Sequence, residues 1–124
     1  WWIMPLVKDV KYIKEPTPLQ CGQAVLSMLS GLSVDEVIKI TGTNRETNLK
    51  QMFLFLDRQG IKYSTDRVAV NGKDQLPDVC ILSLETPRCW HWSLYFDGVF
   101  YDPEHGIMDD FPKSHRKYYF KIEK

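Results

Sequence analysis

The chain has 124 residues, with 16 basic and 16 acidic side chains, and 44% of its residues are hydrophobic. This length suffices for one compact domain with its own core, expected to span residues 1–124. The balanced charge excludes the broad basic field of a nucleic-acid or anionic-membrane binder, and no apolar run reaches the ~18 residues of a membrane helix.

The first residues, Trp1 to Val7, lack the basic flank and the small-residue cleavage site of a signal peptide. A chain opening on Trp1 reads as cut from something longer or as carrying a remnant. The cysteines, Cys21, Cys80 and Cys89, form an odd set, which argues against a disulfide framework and for a reducing compartment. The expected location is the cytoplasm, or export as an effector.

An extended segment, Val10 to Ile13, leads to Thr17-Pro18-Leu19-Gln20, which has the form of a helix start. Threonine is the expected N-cap, proline the first helical residue, and Gln20 the partner in a capping box. Ala24, Val25, Met28 and Leu29 then share a face, and Gly31 is the stop. Cys21 falls in the first turn, at the positive end of the helix dipole. A second capping box, Ser33 to Glu36, opens a helix ending before Gly42. A third helix is expected from about Thr47 to Gln59, with Leu49, Met52, Phe53 and Leu56 as its buried stripe and Gly60 closing it.

Strand signals follow. Ile61 to Ser64 alternates, Val79 to Leu84 is more apolar, and Lys117 to Ile122 closes the set. The stretch from Asp66 to Asp78 is ambiguous, with Val68 to Gly72 a minor hairpin or a loop. Trp90 to Phe96 and Val99 to Asp102 flank Asp97-Gly98, a two-residue hairpin signal. Helices first and antiparallel strands afterwards give an α+β domain, a helical layer on a sheet.

With Asp97 and Gly98 in the turn, Phe96 pairs with Val99, Tyr95 with Phe100 and Ser93 with Asp102. His91 then lies diagonal to Asp102 on the same face. A three-residue turn would put the two on opposite faces. Pro103 cannot donate to the ladder, so the strand should end at Asp102. Asp102 would fix the tautomer of His91 and leave its other ring nitrogen for Cys21. The imidazolium and the helix N-terminus favour the thiolate, the attacking species. The set is therefore a candidate nucleophile, base and orienting acid, with the Cys21 backbone amide a candidate oxyanion donor. Singly, a cysteine on an amphipathic helix or a histidine between two tryptophans is more often core; the combination favours catalysis. His105 and His115 lack a comparable partner. A zinc site from Cys80, Cys89 and His91 matches no ligand spacing, so no metal and no cofactor is expected.

These residues resemble the papain-like cysteine peptidases, above all the bacteriocin-processing (double-glycine leader) peptidases and their stand-alone bacterial relatives. The matching pieces are Pro16 to Ala24 with Met28, then His91 to Leu94, then Tyr101 to Gly106. The resemblance implies a papain-like fold with Cys21 as nucleophile, His91 as general base and acid, and Asp102 as the orienting residue. It implies cleavage of a peptide or isopeptide bond in a peptide or protein substrate. One position departs: such families usually carry a glutamine six residues before the cysteine, where this chain has Glu15. An ionised carboxylate there would repel the oxyanion. Gln20 could substitute or only cap the helix, and Glu15 could be protonated in an apolar pocket. The alternatives are a catalytically inactive peptide- or protein-binding module, and a deamidase or acyl transferase of the same fold.

Overall fold

The computed structural model describes residues 10–17, 19–87 and 89–123. Its helices are α1 (Cys21–Ser30), α2 (Val34–Thr41) and α3 (Leu49–Arg58). Its strands are β1 (Val68–Ala69), β2 (Val79–Glu85), β3 (Trp90–Phe96), β4 (Val99–Asp102), β5 (Gly106–Met108) and β6 (Lys117–Lys121). These form a six-stranded sheet in the order β1-β6-β2-β3-β4-β5, with every pairing antiparallel. The fold class is therefore α+β, three helices packed on an antiparallel sheet. Among the described residues no helix is long and apolar enough to cross a membrane.

Strand alternation sorts the apolar residues into two cores. Val79, Ile81, Leu94 and Phe96 meet Val25, Leu26, Met28 and Leu29 of α1, Val37 of α2, and Met52, Phe55 and Leu56 of α3. On the other face Cys80, Leu82, Leu84, Tyr95 and Phe100 cluster under Leu76, Met108 and Phe111. The second core is why the sheet is apolar on both sides: the connections around β5 cover the face that the helices leave bare.

Helix α1 is buried from Cys21 to Leu29, not only along the Ala24, Val25, Met28 and Leu29 face. It is the central helix, so its polar residues need internal partners. Gln23 donates to the Thr43 and Arg45 carbonyls, and Ser27 to the Leu32 carbonyl. The capping box at Ser33 and Glu36 is present, and α2 stops at Gly42 as read from the sequence. In α3 the cap is Asn48 with Gln51, and Phe55 joins Met52 and Leu56 as the fully buried residues, while Leu49 and Phe53 are half-buried.

Elsewhere the sequence reading needs correction. Ile61 to Ser64 is no strand; it makes the isolated Tyr63–Ile122 bridge, with flanking backbone bonds from Ser64 to Lys121 at the end of β6 and from Glu123 to Lys62. The ambiguous stretch contributes β1, paired with β6, and a short 3-10 turn, Lys73–Gln75. Strand β5 carries too few residues to give a periodic signal.

Candidate active site

The start of α1 differs from the expected capping box. Gln20 is the N-cap residue, but no side chain caps the helix. A turn closes from the Gln20 amide to the Thr17 carbonyl, and the first helical bond runs from the Ala24 amide to the Gln20 carbonyl. Pro18, expected as the first helical residue, lies outside the described residues. Cys21 is the first residue of the helix. The Gln20 Nε2 donates instead to the Asn44 carbonyl at 2.9 Å, so the side chain does not cap the helix. Together, Gln20 and Gln23 stitch the loop of residues 43–47 across the helix start. Gly22 is required for that approach, since a Cβ there would lie 1.8 Å from Thr47 Oγ1.

The hairpin presents the other two residues. Asp97 and Gly98 both have positive φ, 45° and 89°, the type I′ geometry that matches strand twist. The register is Phe96 with Val99, Tyr95 with Phe100 and Leu94 with Tyr101. The ladder stops one pair before the expected Ser93–Asp102 pairing, and Asp102 pairs onward with Gly106 of β5. His91 Nε2 lies 3.1 Å from Asp102 Oδ1 and 3.0 Å from Oδ2. Asp102 takes Nε2, which leaves Nδ1 as the ring nitrogen for the Cys21 thiol, and Cys21 and His91 line the same cavity. The structure thus brings Cys21, His91 and Asp102 together, residues that lie on separate elements.

Asp102 is fully buried and heavily used. Its Oδ1 also accepts from the Glu104 amide at 3.0 Å, the His105 amide at 2.9 Å and His105 Nδ1 at 3.0 Å. The Tyr12 hydroxyl donates to its backbone carbonyl, and the Glu15 amide to the Pro103 carbonyl. His105, passed over in the sequence for want of a partner, therefore shares the carboxylate with His91. The signal was available: an aspartate leaving a strand folds the next residues back onto its own side chain in an Asx-type turn.

Burial alone would push the His91 ring toward neutrality, but hydrogen bonds to Asp102 and Cys21, and their charges, raise its pKa to about 10. Burial likewise opposes ionisation of Asp102, yet His91, and then His105, hold it down at about 2. The pair is a buried imidazolium and carboxylate.

Glu15 lies beside this pair, with only 9% of its surface exposed and its Oε1 without a hydrogen-bond partner among the described residues. Burial raises its pKa; His91 pulls the other way, and Glu104 and Asp102 add to the rise. Burial is the largest of these influences, so the carboxyl ionises less readily than an exposed one, with charged groups rather than an apolar pocket around it.

A cavity of about 220 Å³ opens at Cys21 and His91, lined further by Glu46, Thr47, Ser83, Trp90 and Trp92. The Trp92 indole donates to the Thr47 carbonyl at 3.2 Å and fixes that wall. Sequence reasoning missed Glu46 and Thr47, which reach the site only because the glutamines of α1 hold their loop. The zinc trio is not assembled: Cys89 is exposed, and Cys80 lies in the apolar core, where burial pushes its thiol up. Among the described residues, His91, Glu104 and His105 do present ligand atoms within 4.8 Å of one another. Asp102 already engages a ring nitrogen of each histidine there, so the group serves as a hydrogen-bond cluster.

No protein-family model matches this chain, and no curated protein matches it.

Proposed function

We propose that this chain is a thiol hydrolase of papain-like fold that cleaves a peptide or isopeptide bond through an acyl-enzyme. The observation that carries the reading is the placement of His91 between the Cys21 thiol and the Asp102 carboxylate. A buried ion pair of this kind is costly to maintain and yields little net stability, so its presence beside a thiol in a cavity favours a chemical role.

With its proton already held on the His91 imidazolium, the Cys21 sulfur attacks the substrate carbonyl carbon as the thiolate to form a tetrahedral oxyanion. The Cys21 backbone amide, at the positive end of α1, is the donor beside that oxygen. Burial raises the pKa of Glu15, which lessens the charge its carboxyl presents beside that oxygen. As the C–N bond breaks, His91 returns the proton to the leaving amine and leaves a thioester on Cys21. Water, deprotonated by the same ring, then releases the acid and the free thiol. Asp102 holds the ring in the tautomer that both steps need.

The test is a peptide library incubated with wild type and with Cys21→Ala, read by mass. Products seen only with wild type support the hydrolase. A one-dalton gain without chain cleavage would redirect the reading to a deamidase. Equal products from both proteins would remove Cys21 from the mechanism.

A second reading, a papain-like module that binds a peptide without turnover, is favoured by one observation: the carboxyl of Glu15 where the resembling families carry an amide. Thiol-directed alkylation separates the two readings. Fast, pH-dependent modification of Cys21 that His91→Ala abolishes belongs to an enzyme, and uniform sluggishness across the thiols to a binder.

A further inference from the structure

Among the described residues, the cavity at Cys21 holds an acidic side chain with no paired cation. His91 and Asp102 neutralise each other. Arg116, whose guanidinium lies 5.5 Å from the Trp90 ring, is committed to Glu85 through two bonds, at 3.1 Å and 2.7 Å. Glu46 lines the cavity, is exposed, and has no ion pair among the described residues. Beside it Thr47 is 7% exposed, yet its Oγ1 has no hydrogen-bond partner among the described residues. That hydroxyl packs against Gly22 of α1 rather than into the cavity, so among the lining residues Glu46 is the side chain that offers a charge to a ligand. The remaining walls are indoles: Trp92, half-buried and pinned to Thr47, and Trp90, 47% exposed. Aromatic walls ending in a carboxylate are suited to an aliphatic stem with a cationic head. An acidic side chain would meet Glu46 as a like charge, and a purely apolar one would leave the Glu46 carboxylate without a counter-charge.

We infer that this cavity selects a lysine or arginine side chain close to the attacked carbonyl, with Glu46 as the specificity-determining residue. The inference rests on the hydrolase reading for its catalytic consequence, but the binding it requires does not need turnover. The loop 43–47, tied down by Gln20 and Gln23, presents the carboxylate without having to order on binding, so little of the interaction is lost to entropy.

The experiment uses positional peptide sets differing only in lysine, norleucine or glutamate at each site. Cleavage by wild type, Glu46→Gln and Glu46→Lys is read by mass. In parallel, the same peptides are titrated against Cys21→Ala and Cys21→Ala/Glu46→Gln, following the indole N–H signals of Trp90 and Trp92 by NMR. Lysine peptides should be cleaved about fivefold to tenfold faster than norleucine ones, the range set by one partly exposed ion pair and one cation–π contact. Glu46→Gln should erase that preference, and Glu46→Lys should transfer it to glutamate. Cys21-dependent cleavage indifferent to these side chains and to Glu46 overturns the pocket assignment and leaves the hydrolase standing. No cleavage, but Glu46-dependent binding of lysine peptides, does the reverse. Absence of any preference in both measurements overturns the inference outright.

Discussion

Replacing Gly22 with alanine tests how firmly the 43–47 loop is pressed onto the start of α1. The added Cβ would sit 1.8 Å from Thr47 Oγ1, 3.1 Å from Thr47 Cβ and 3.2 Å from Trp92 Cδ1. Ordinary contact begins at 3.4 Å, so Oγ1 must retreat by about 1.6 Å. Turning Thr47 about χ1 does not suffice, because its Cβ is also too close and its other branch must find space in a buried site. Overfilling a packed site costs about 1–3 kcal/mol. Alanine returns at most ~1 kcal/mol through helix propensity, and less at a first turn than in a helix interior. The steric cost therefore wins, with a net loss of about 1–2 kcal/mol and a fall in Tm of about 4–8 °C for a chain of this size. Thermal and urea unfolding measure the loss directly. A double-mutant cycle with Thr47→Ala gives the decisive number, because removing the Oγ1 and Cγ2 atoms should recover about 1 kcal/mol of coupling. Gly22→Ala at wild-type stability, or strict additivity with Thr47→Ala, would refute the reasoning.

Asp102→Asn should cost about 3 kcal/mol or more, since it leaves a buried ring without its counter-charge. The His91 pKa should fall from its raised value in an NMR titration, and alkylation of Cys21 at neutral pH should slow at least about tenfold; an unchanged rate would detach the acid from the thiol's chemistry. The pH dependence of stability has a definite sign. His91 is raised above 6.5 to about 10, so its contribution is complete below the lower value and lost as pH climbs toward the upper. Asp102 is lowered from 3.8 to about 2, so its contribution is present above the first value and lost as pH falls toward the second. These two shifts describe one interaction, whose stabilisation should peak between about pH 4 and 6.5 in a urea-unfolding series, and Asp102→Asn should flatten that profile. His105→Ala removes one bond to the shared carboxylate from a half-exposed ring, so about 1 kcal/mol and a several-fold loss of kcat/KM are expected. Cys21 should still be alkylated in that variant; loss of labelling would make His105 as essential as His91.

Much of the site was legible because its signals are local. The Asp97-Gly98 turn has few workable backbone conformations, and once its type is set, strand alternation puts His91 and Asp102 on one face by counting alone. The α2 capping box and the glycines ending α1 and α2 are local in the same sense. The start of α1 was misread because Thr17 and Gln20 satisfy a capping pattern that tertiary contact overrides, the Gln20 amide finding the Asn44 carbonyl instead.

The order of residues by itself determined the α+β class, the helix that carries Cys21 in its first turn, and the hairpin joining its histidine to its aspartate. Only the tertiary structure decided that Asp102 is shared with His105, that Glu15 is buried beside it, and that Glu46 and Thr47 wall the cavity. The division has a physical cause. Periodicity and turn chemistry act over a few neighbouring residues, whereas the partner of a buried polar group is chosen by whichever distant segment packing brings within reach.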